Sequence, residues 1–195
     1  MDQSGDIGLP QPGPGAAEPG ATETEPQPLL EPEPALGLDI VRDAGDWAPF
    51  EPVEPAIEQA SAAVAAHPRL AKLMPATVCI ALSSDDAVRE LNQTWRGKAS
   101  PTNVLSFPAP VPPAGATATG PRFLGDVVLA AETIQREAQE MVLTPAHHLQ
   151  HLVVHGLLHL LGFDHEREAD AAAMETLETD ILASIGVADP YAGGN

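Results

Sequence analysis

The sequence predicts an α+β fold, a small mixed four-stranded sheet packed with helices. Two observations carry that expectation. Four short stretches rich in β-branched or apolar residues read as strands. Longer stretches with apolar residues at helical spacing read as helices, and these gather mainly after the last strand. No internal repeat interrupts this order.

Taken along the chain, Leu38–Arg42 is the first candidate strand. Pro55–Ala66 then places Ile57, Ala60 and Val64 on one side of a helix. Thr77–Leu82 is β-branched and reads as a buried strand. Ser84 is a suitable N-cap, with Asp85 and Asp86 in the first turn of a helix that reaches Trp95. Val104–Phe107 is the third strand. Pro108–Pro121 carries five prolines and reads as a flexible loop. Asp126–Ala130 is the fourth strand, apolar enough to be buried on both faces. A helix follows over Glu132–Met141. Thr144 caps the next helix, and Pro145 suits its first position. That helix runs to Leu161, with Leu149, Leu152, Val153, Leu157 and Leu160 turned to the core. The last helix, Glu168–Ile185, carries Met174, Leu177, Ile181 and Ile185 on one side, and Gly186 ends it.

Composition adds limits. The chain has 195 residues and a formal net charge of -19. A balance this acidic argues against a broad electrostatic grip on nucleic acid or anionic lipid, so any RNA contact has to be local. Residues 1–41 hold eight acids and no Lys or Arg, and the rest of the chain still carries twenty acids against nine bases. Residues 1–36 are dominated by Pro, Gly, Glu and Ala, which predicts a disordered acidic, Pro-rich tail ahead of one domain over 37–195. Cys79 is the only cysteine; it reads as core filler, and no intrachain disulfide is possible. No signal sequence and no bilayer-length apolar run is visible, which predicts a cytoplasmic protein without a membrane partner.

The stretch that carries chemistry is His155-Gly156-Leu157-Leu158-His159-Leu160-Leu161-Gly162-Phe163-Asp164-His165. Histidines four apart share one helix face, so His155 and His159 can reach a single ion. Gly162 can adopt positive φ and end the helix, which turns the chain so that His165 approaches the same ion. Three neutral imidazoles with an open fourth position describe a catalytic zinc site better than a closed structural one. The spacing is that of the long metzincin motif, except that Gly156 stands where a glutamate general base is expected. His151 extends the same stripe. Three turns of helix span about 12 Å, too far for one ion to bridge them all, so His151 reads as a supporting or core residue. His147 and His148, near the helix start, read as solvated, and His67 as a loop histidine.

A second informative stretch is Asn92–Pro108, which leaves a helix, crosses a polar loop and enters a strand. Arg96 and Lys98 lie in it, two of only nine bases. A planar guanidinium there suits a phosphate clamp, and the competing reading is a structural arginine paired with a carboxylate.

These stretches together resemble the YbeY family of rRNA maturation endoribonucleases. His155–His165 is similar to that family's H-G-x-L-H-L-x-G-[YF]-D-H signature at every fixed position, and Asn92–Pro108 to its N-x-x-[YW]-R-x-K-[DA]-x-P-T-[DN]-V-L-S-F-P segment. Leu124-Gly125-Asp126, Glu175-Thr176-Leu177-Glu178 and Asp189-Pro190-Tyr191 also resemble family segments, and the likeness spans Leu38 to Tyr191. Ala99 and Asn103 stand where acids are common. The resemblance implies an α+β fold distantly like a metalloprotease core. It also implies a single-strand-directed endoribonuclease with one Zn2+ held by His155, His159 and His165, and a functional arginine at Arg96. The implied role is 16S rRNA 3′-end maturation and ribosome quality control.

On this reading zinc supplies hydrolytic power near neutral pH without the absent glutamate, and Arg96 stabilises charge on the phosphate of an rRNA precursor. Asp164 or Glu166 is placed to orient groups around the metal. Two alternatives stand beside it. One is a zinc peptidase-like hydrolase, against which Gly156 argues. The other is a ribosome-assembly factor with structural zinc, for which the acidic surface favours a protein partner such as a ribosomal protein or an assembly GTPase.

Overall fold

The computed structural model describes residue 1 and residues 35–110, 120–164 and 167–192. The expected tail up to residue 34, residues 111–119 of the Pro-rich loop, and both His165 and Glu166 lie outside the described residues. Contacts divide the chain into units Met1–Pro32 and Glu33–Asn195, and every element below belongs to the second.

The four strands are β1 (Leu36–Arg42), β2 (Ala76–Ser83), β3 (Val104–Pro108) and β4 (Arg122–Ala130). They form one sheet in the order β1-β2-β4-β3. β1, β2 and β4 run parallel, and β3 is antiparallel to β4, so the sheet is small and mixed as expected. Parallel neighbours require a crossover. Helix α1 (Val53–Ala66) supplies it between β1 and β2, and α2 (Asp85–Arg96) with β3 fills the path from β2 to β4. Helices α3 (Ala131–Glu140), α4 (Pro145–Leu160) and α5 (Glu168–Ser184) follow the last strand.

The strands begin earlier than the sequence patterning indicates, β1 at Leu36 and β4 at Arg122. At the start of β4 the register slips between Thr77 and Cys79 of its neighbour. Gly125 sits at φ 131°, where an added Cβ would lie 2.1 Å from the Phe107 carbonyl oxygen. That irregularity breaks the alternation a strand normally shows.

β2 explains the layering. Ala76, Val78, Ile80 and Leu82 are buried on one face, while Thr77, Cys79 and Ala81 are half-buried on the other. The first face meets α1 and α4 in a continuous core that includes Ile57, Ile80, Leu129, Leu157 and Leu158, all fully buried. Each such side chain contributes about 1.5–3 kcal/mol. The second face is covered in part by α2 through Val88 and Leu91 over Leu105, Val128 and Ala130. Cys79 therefore is not core filler. It lies half-buried on this thinner side, where burial, then Asp126 and Asp39 in the flanking strands, push its thiol pKa up.

Both predicted caps form. The Ser84 hydroxyl accepts from the Ala87 N–H at 3.4 Å, and the Thr144 hydroxyl accepts from the His147 N–H at 3.2 Å with Pro145 next. Helix α4 then crosses the sheet closely. Gly156 is buried at the crossing, and a Cβ there would stand 2.9 Å from Val127 Cγ1 and 3.2 Å from Ser106 Oγ. Ser106 Oγ donates to the Gly156 carbonyl at 3.2 Å, which ties β3 to the helix. This contact sets the distance at which the histidine face of α4 stands beside β3.

Candidate metal centre

Four histidines at helical spacing, His148, His151, His155 and His159, run down α4 beside the sheet. The structure brings His155 and His159 together at the C-terminal end. Their Nε2 atoms lie 3.1 Å apart, with the rings nearly perpendicular.

Each ring is held from behind through its Nδ1. His155 Nδ1 lies 2.7 Å from Glu178 Oε1, and His159 Nδ1 lies 3.1 Å from the Phe163 carbonyl oxygen. A carbonyl can only accept, so His159 donates from Nδ1. Burial alone pushes the Glu178 carboxyl up, but the nearby His151 ring and the hydrogen bonds from His155 and Tyr191 outweigh it and hold the pKa down at about 2. Glu178 is therefore an ionised acceptor, and His155 also donates from Nδ1. In their neutral forms both histidines then present an Nε2 lone pair, and the two lone pairs face each other at 3.1 Å. That arrangement is repulsive unless a shared proton or a metal cation lies between them.

The Phe163 carbonyl reaches His159 because α4 ends as it does. Gly162 takes φ 95°, its N–H donates to the His159 carbonyl at 3.0 Å, and the Phe163 N–H donates to the Leu158 carbonyl at 3.0 Å. This is a Schellman ending, and it folds the chain back across the last turn. The glycine that the spacing assigned to helix termination thus also orients a histidine.

Glu178 lies in one of the family-like segments, yet no local spacing in the sequence marks it as a site residue. It comes from α5 and is fully buried, with Met174, Leu177, Ile181 and Leu182 around it in the sequence of the same buried stripe. An acid within an apolar stripe was the available signal. Tyr191, likewise unmarked by spacing, donates its hydroxyl to Glu178 Oε2 in a very short hydrogen bond. Burial and this bond to a carboxylate push the Tyr191 pKa up. Its segment is pinned by Asp189, which accepts from the Thr179 hydroxyl at 3.2 Å and from the Tyr191 N–H at 2.9 Å.

His151 lies beside this cluster. Its Nε2 lies 3.4 Å from Glu178 Oε2, within ion-pair range but outside hydrogen-bond geometry. Among the described residues, His151, His155 and Glu178 form a group whose ligand atoms lie within 4.8 Å of one another and could hold a metal ion. His148 corrects an expectation. It is buried rather than solvated, because Glu137 of α3 covers it and meets its Nε2 at 2.9 Å. Glu137 Oε2 also accepts from Asn103 Nδ2 at 2.9 Å, so the same carboxylate anchors the loop before β3.

In front of the histidine pair lies a cleft of about 840 Å³. His155, His159, Gly162, Phe163 and Asp164 form one side, and Arg96, Lys98, Asn103 and Ser106 the other. The basic loop is fixed at both ends. Gly97 ends α2 in a left-handed conformation at φ 68°, and buried Asn92 donates from Nδ2 to the Ser100 carbonyl at 2.8 Å. Arg96 and Lys98 themselves are exposed, and neither is engaged in an ion pair among the described residues. The structural-arginine reading, in which a carboxylate holds Arg96, thus finds no partner among them.

Fold and site together define a class: an α+β domain in which helix histidines and a buried carboxylate can hold a metal ion, opening on a cleft with a basic rim. The comparisons narrow it. Residues 48–186 match the family described as Endoribonuclease YbeY. A Bradyrhizobium diazoefficiens protein named endoribonuclease YbeY is 47% identical over 161 residues, covering 82% of this chain and 87% of that protein. A Parvibaculum lavamentivorans protein of the same name is 49% identical over 163 residues, covering 80% and 85%. A solution structure of TM1509 from Thermotoga maritima aligns at TM-score 0.44 and 22% identity, over 81% of this chain and 99% of that one. The chain belongs to the YbeY endoribonuclease family.

Proposed function

We propose that this protein is a zinc-dependent, single-strand-specific endoribonuclease that acts in the cytoplasm on rRNA precursors. Its role would be 16S rRNA 3′-end maturation and ribosome quality control. His155, His159 and His165 are the proposed ligands of one Zn2+. The observation that carries this reading is the Nε2 pair at 3.1 Å, with both Nδ1 atoms engaged by acceptors. Two nitrogens on one tetrahedral zinc, each about 2.0–2.1 Å away, stand about 3.3 Å apart. The donor set is imidazole, which suits zinc, and the two acceptors fix the tautomers that expose Nε2.

Zinc bound there supplies Lewis-acid activation of water and of a phosphoryl oxygen near neutral pH. The chain's own residues do the rest. Glu178 and the Phe163 carbonyl hold the two imidazoles in place. Arg96, with Lys98 beside it, binds the phosphate and stabilises the negative charge that develops as the P–O bond breaks. Asp164 sits at the edge of the cleft, where it can orient the attacking group. Gly156 is buried against Val127 and Ser106, with no room for a larger side chain, so this helix offers no peptidase-type general base at that position. Ribosomal proteins or an assembly GTPase remain candidate partners for the acidic surface.

The test pairs metal analysis with cleavage on the same preparation. Wild type should carry about one zinc per chain and cut single-stranded RNA, leaving casein intact. His159→Ala should lose metal and activity together. Arg96→Ala should keep the metal and lose on the order of 100-fold in kcat, the usual consequence of removing one charge-stabilising donor. Zinc-loaded protein that leaves RNA intact, or that cuts casein instead, would refute the proposal.

A further inference from the structure

Nine bases are spread over a chain of net charge -19, and their pairing is uneven. Arg42 bonds Glu51 and Glu54, each at 2.8 Å, and Arg89 bonds Asp86 at 2.8 Å. Arg136 lies 3.7 Å from Asp85, and Arg167 lies 4.0 Å from Asp170. Among the described residues the other five, Arg69, Lys72, Arg96, Lys98 and Arg122, are in no ion pair. In a protein with three acids for every base, a cation left unpaired is the unusual case.

Four of those five converge on one place. Arg96 and Lys98 line the cleft in front of the histidine pair. Arg69 and Lys72 line a neighbouring hollow of about 400 Å³, whose remaining walls are Pro68, Leu73, Leu161, Gly162 and Phe163. Gly162 and Phe163 belong to both, so cleft and hollow adjoin across the turn that ends α4. No carboxylate lines the hollow among the described residues.

Its two cations are mounted on an anchored turn. Leu70, between them, is fully buried in the core. The Leu70 N–H donates to the His67 carbonyl at 2.9 Å, and the Leu73 N–H donates to the Leu70 carbonyl at 2.8 Å. A fixed turn holds Arg69 and Lys72 at the surface, where a bound phosphate would not have to order a mobile loop.

We infer that Arg69 and Lys72 form a second phosphate-binding subsite for single-stranded RNA. The strand runs from Arg96 and Lys98, past His155 and His159, over Gly162 and Phe163, to Arg69 and Lys72. The ligand is a flexible polyanion with regularly spaced charges, because only such a ligand engages cations on both sides of the histidines at once. This inference rests on the nuclease reading above and adds to it the direction in which the substrate leaves the cleft.

The test is the double variant Arg69→Gln/Lys72→Gln in the zinc-loaded full chain. Arg122→Gln serves as a comparison, since Arg122 is in no ion pair among the described residues and lines neither cavity. Binding of a labelled, cleavage-resistant RNA of about a dozen nucleotides is followed by anisotropy across a salt series, alongside KM for cleavable RNA of the same length and for a trinucleotide. Each single-strand phosphate contact contributes a slope of about 0.7 to log K against log salt. The double variant should lose about 1.4 from that slope and bind roughly tenfold more weakly near 0.15 M salt. The loss should fall on KM for the long RNA and not for the trinucleotide, with Arg122→Gln like wild type. A wild-type slope and KM on long RNA would overturn the second subsite and leave the nuclease reading intact. An equal loss on the trinucleotide would also overturn it, by placing both cations inside the cleavage cleft. Wild-type protein that neither binds nor cuts single-stranded RNA at any salt would overturn the nuclease reading itself, and the subsite with it.

Discussion

Glu178→Gln tests how the proposed metal centre is held. The substitution keeps shape and removes charge. In the native protein the carboxylate is fully buried, accepts from His155 at 2.7 Å and from Tyr191, and has His151 at 3.4 Å. Its pKa falls from an ordinary 4.5 to about 2. That difference corresponds to roughly 3 kcal/mol in favour of the ionised form. The amide resembles the neutral form, so roughly 3 kcal/mol sets the scale of the stability lost near neutral pH. At 2–4 °C per kcal/mol, Tm of the metal-free protein should fall by about 6–12 °C. The second consequence concerns the ion. Without an anion behind it, the His155 imidazole is a poorer ligand and less firmly oriented, and such changes typically weaken metal binding 10–100-fold, or about 1.4–2.7 kcal/mol. Zinc affinity measured by competition with a chromophoric chelator, beside thermal melts in chelator, reads both effects. A variant that melts and binds zinc like wild type would refute the role given to Glu178.

Two further predictions follow from the geometry. Gly162→Ala meets no atom within 4 Å but must hold φ 95°, so it should cost about 1–2 kcal/mol of backbone strain and weaken zinc binding through the displaced Phe163 carbonyl; wild-type affinity in the chelator competition would show that His159 does not depend on this turn. Glu137→Gln tests a pH dependence: burial raises that carboxyl, but bonds from His148 and Asn103 outweigh it and leave its pKa below the ordinary 4.5. A depressed folded pKa stabilises the protein above pH 4.5 and loses that contribution as pH falls through the folded value. The stability gap between wild type and Glu137→Gln in urea titrations should therefore be full near neutral pH and shrink below pH 4.5, and a gap independent of pH would count against it.

What the sequence made visible was local. Ser84, Thr144 and Pro145 announce helix starts because a cap needs only a side chain and an N–H three residues on. His155, His159 and Gly162 are visible because helical spacing and positive φ are short-range properties. The residues that hold the histidines come from elsewhere in the chain. Glu178 follows His155 by 23 positions and hides among the other acids of α5. Tyr191 lies beyond that helix altogether. His148 was misplaced for the same reason, since its burial is decided by Glu137 on the preceding helix. The early start of β4 was obscured by Gly125 and the register shift beside it, which remove the alternation that marks a strand.

Gly156 brings the two levels together. In the sequence it registers as a missing general base. In the fold it is the point where α4 approaches β3 and β4, with Val127 Cγ1 and Ser106 Oγ where a Cβ would go. A glutamate at this position would have to push the helix off the sheet, because Val127 and Ser106 already fill the space its Cβ would need. The close approach that excludes it sets the histidine stripe of α4 beside the basic loop leading into β3, so that imidazoles and guanidinium share one cavity. The carboxylate serving the centre therefore comes from α5 and stands behind His155. There it can orient and polarise an imidazole, while Arg96 and Lys98 face the cleft from the other wall, where they suit a phosphate.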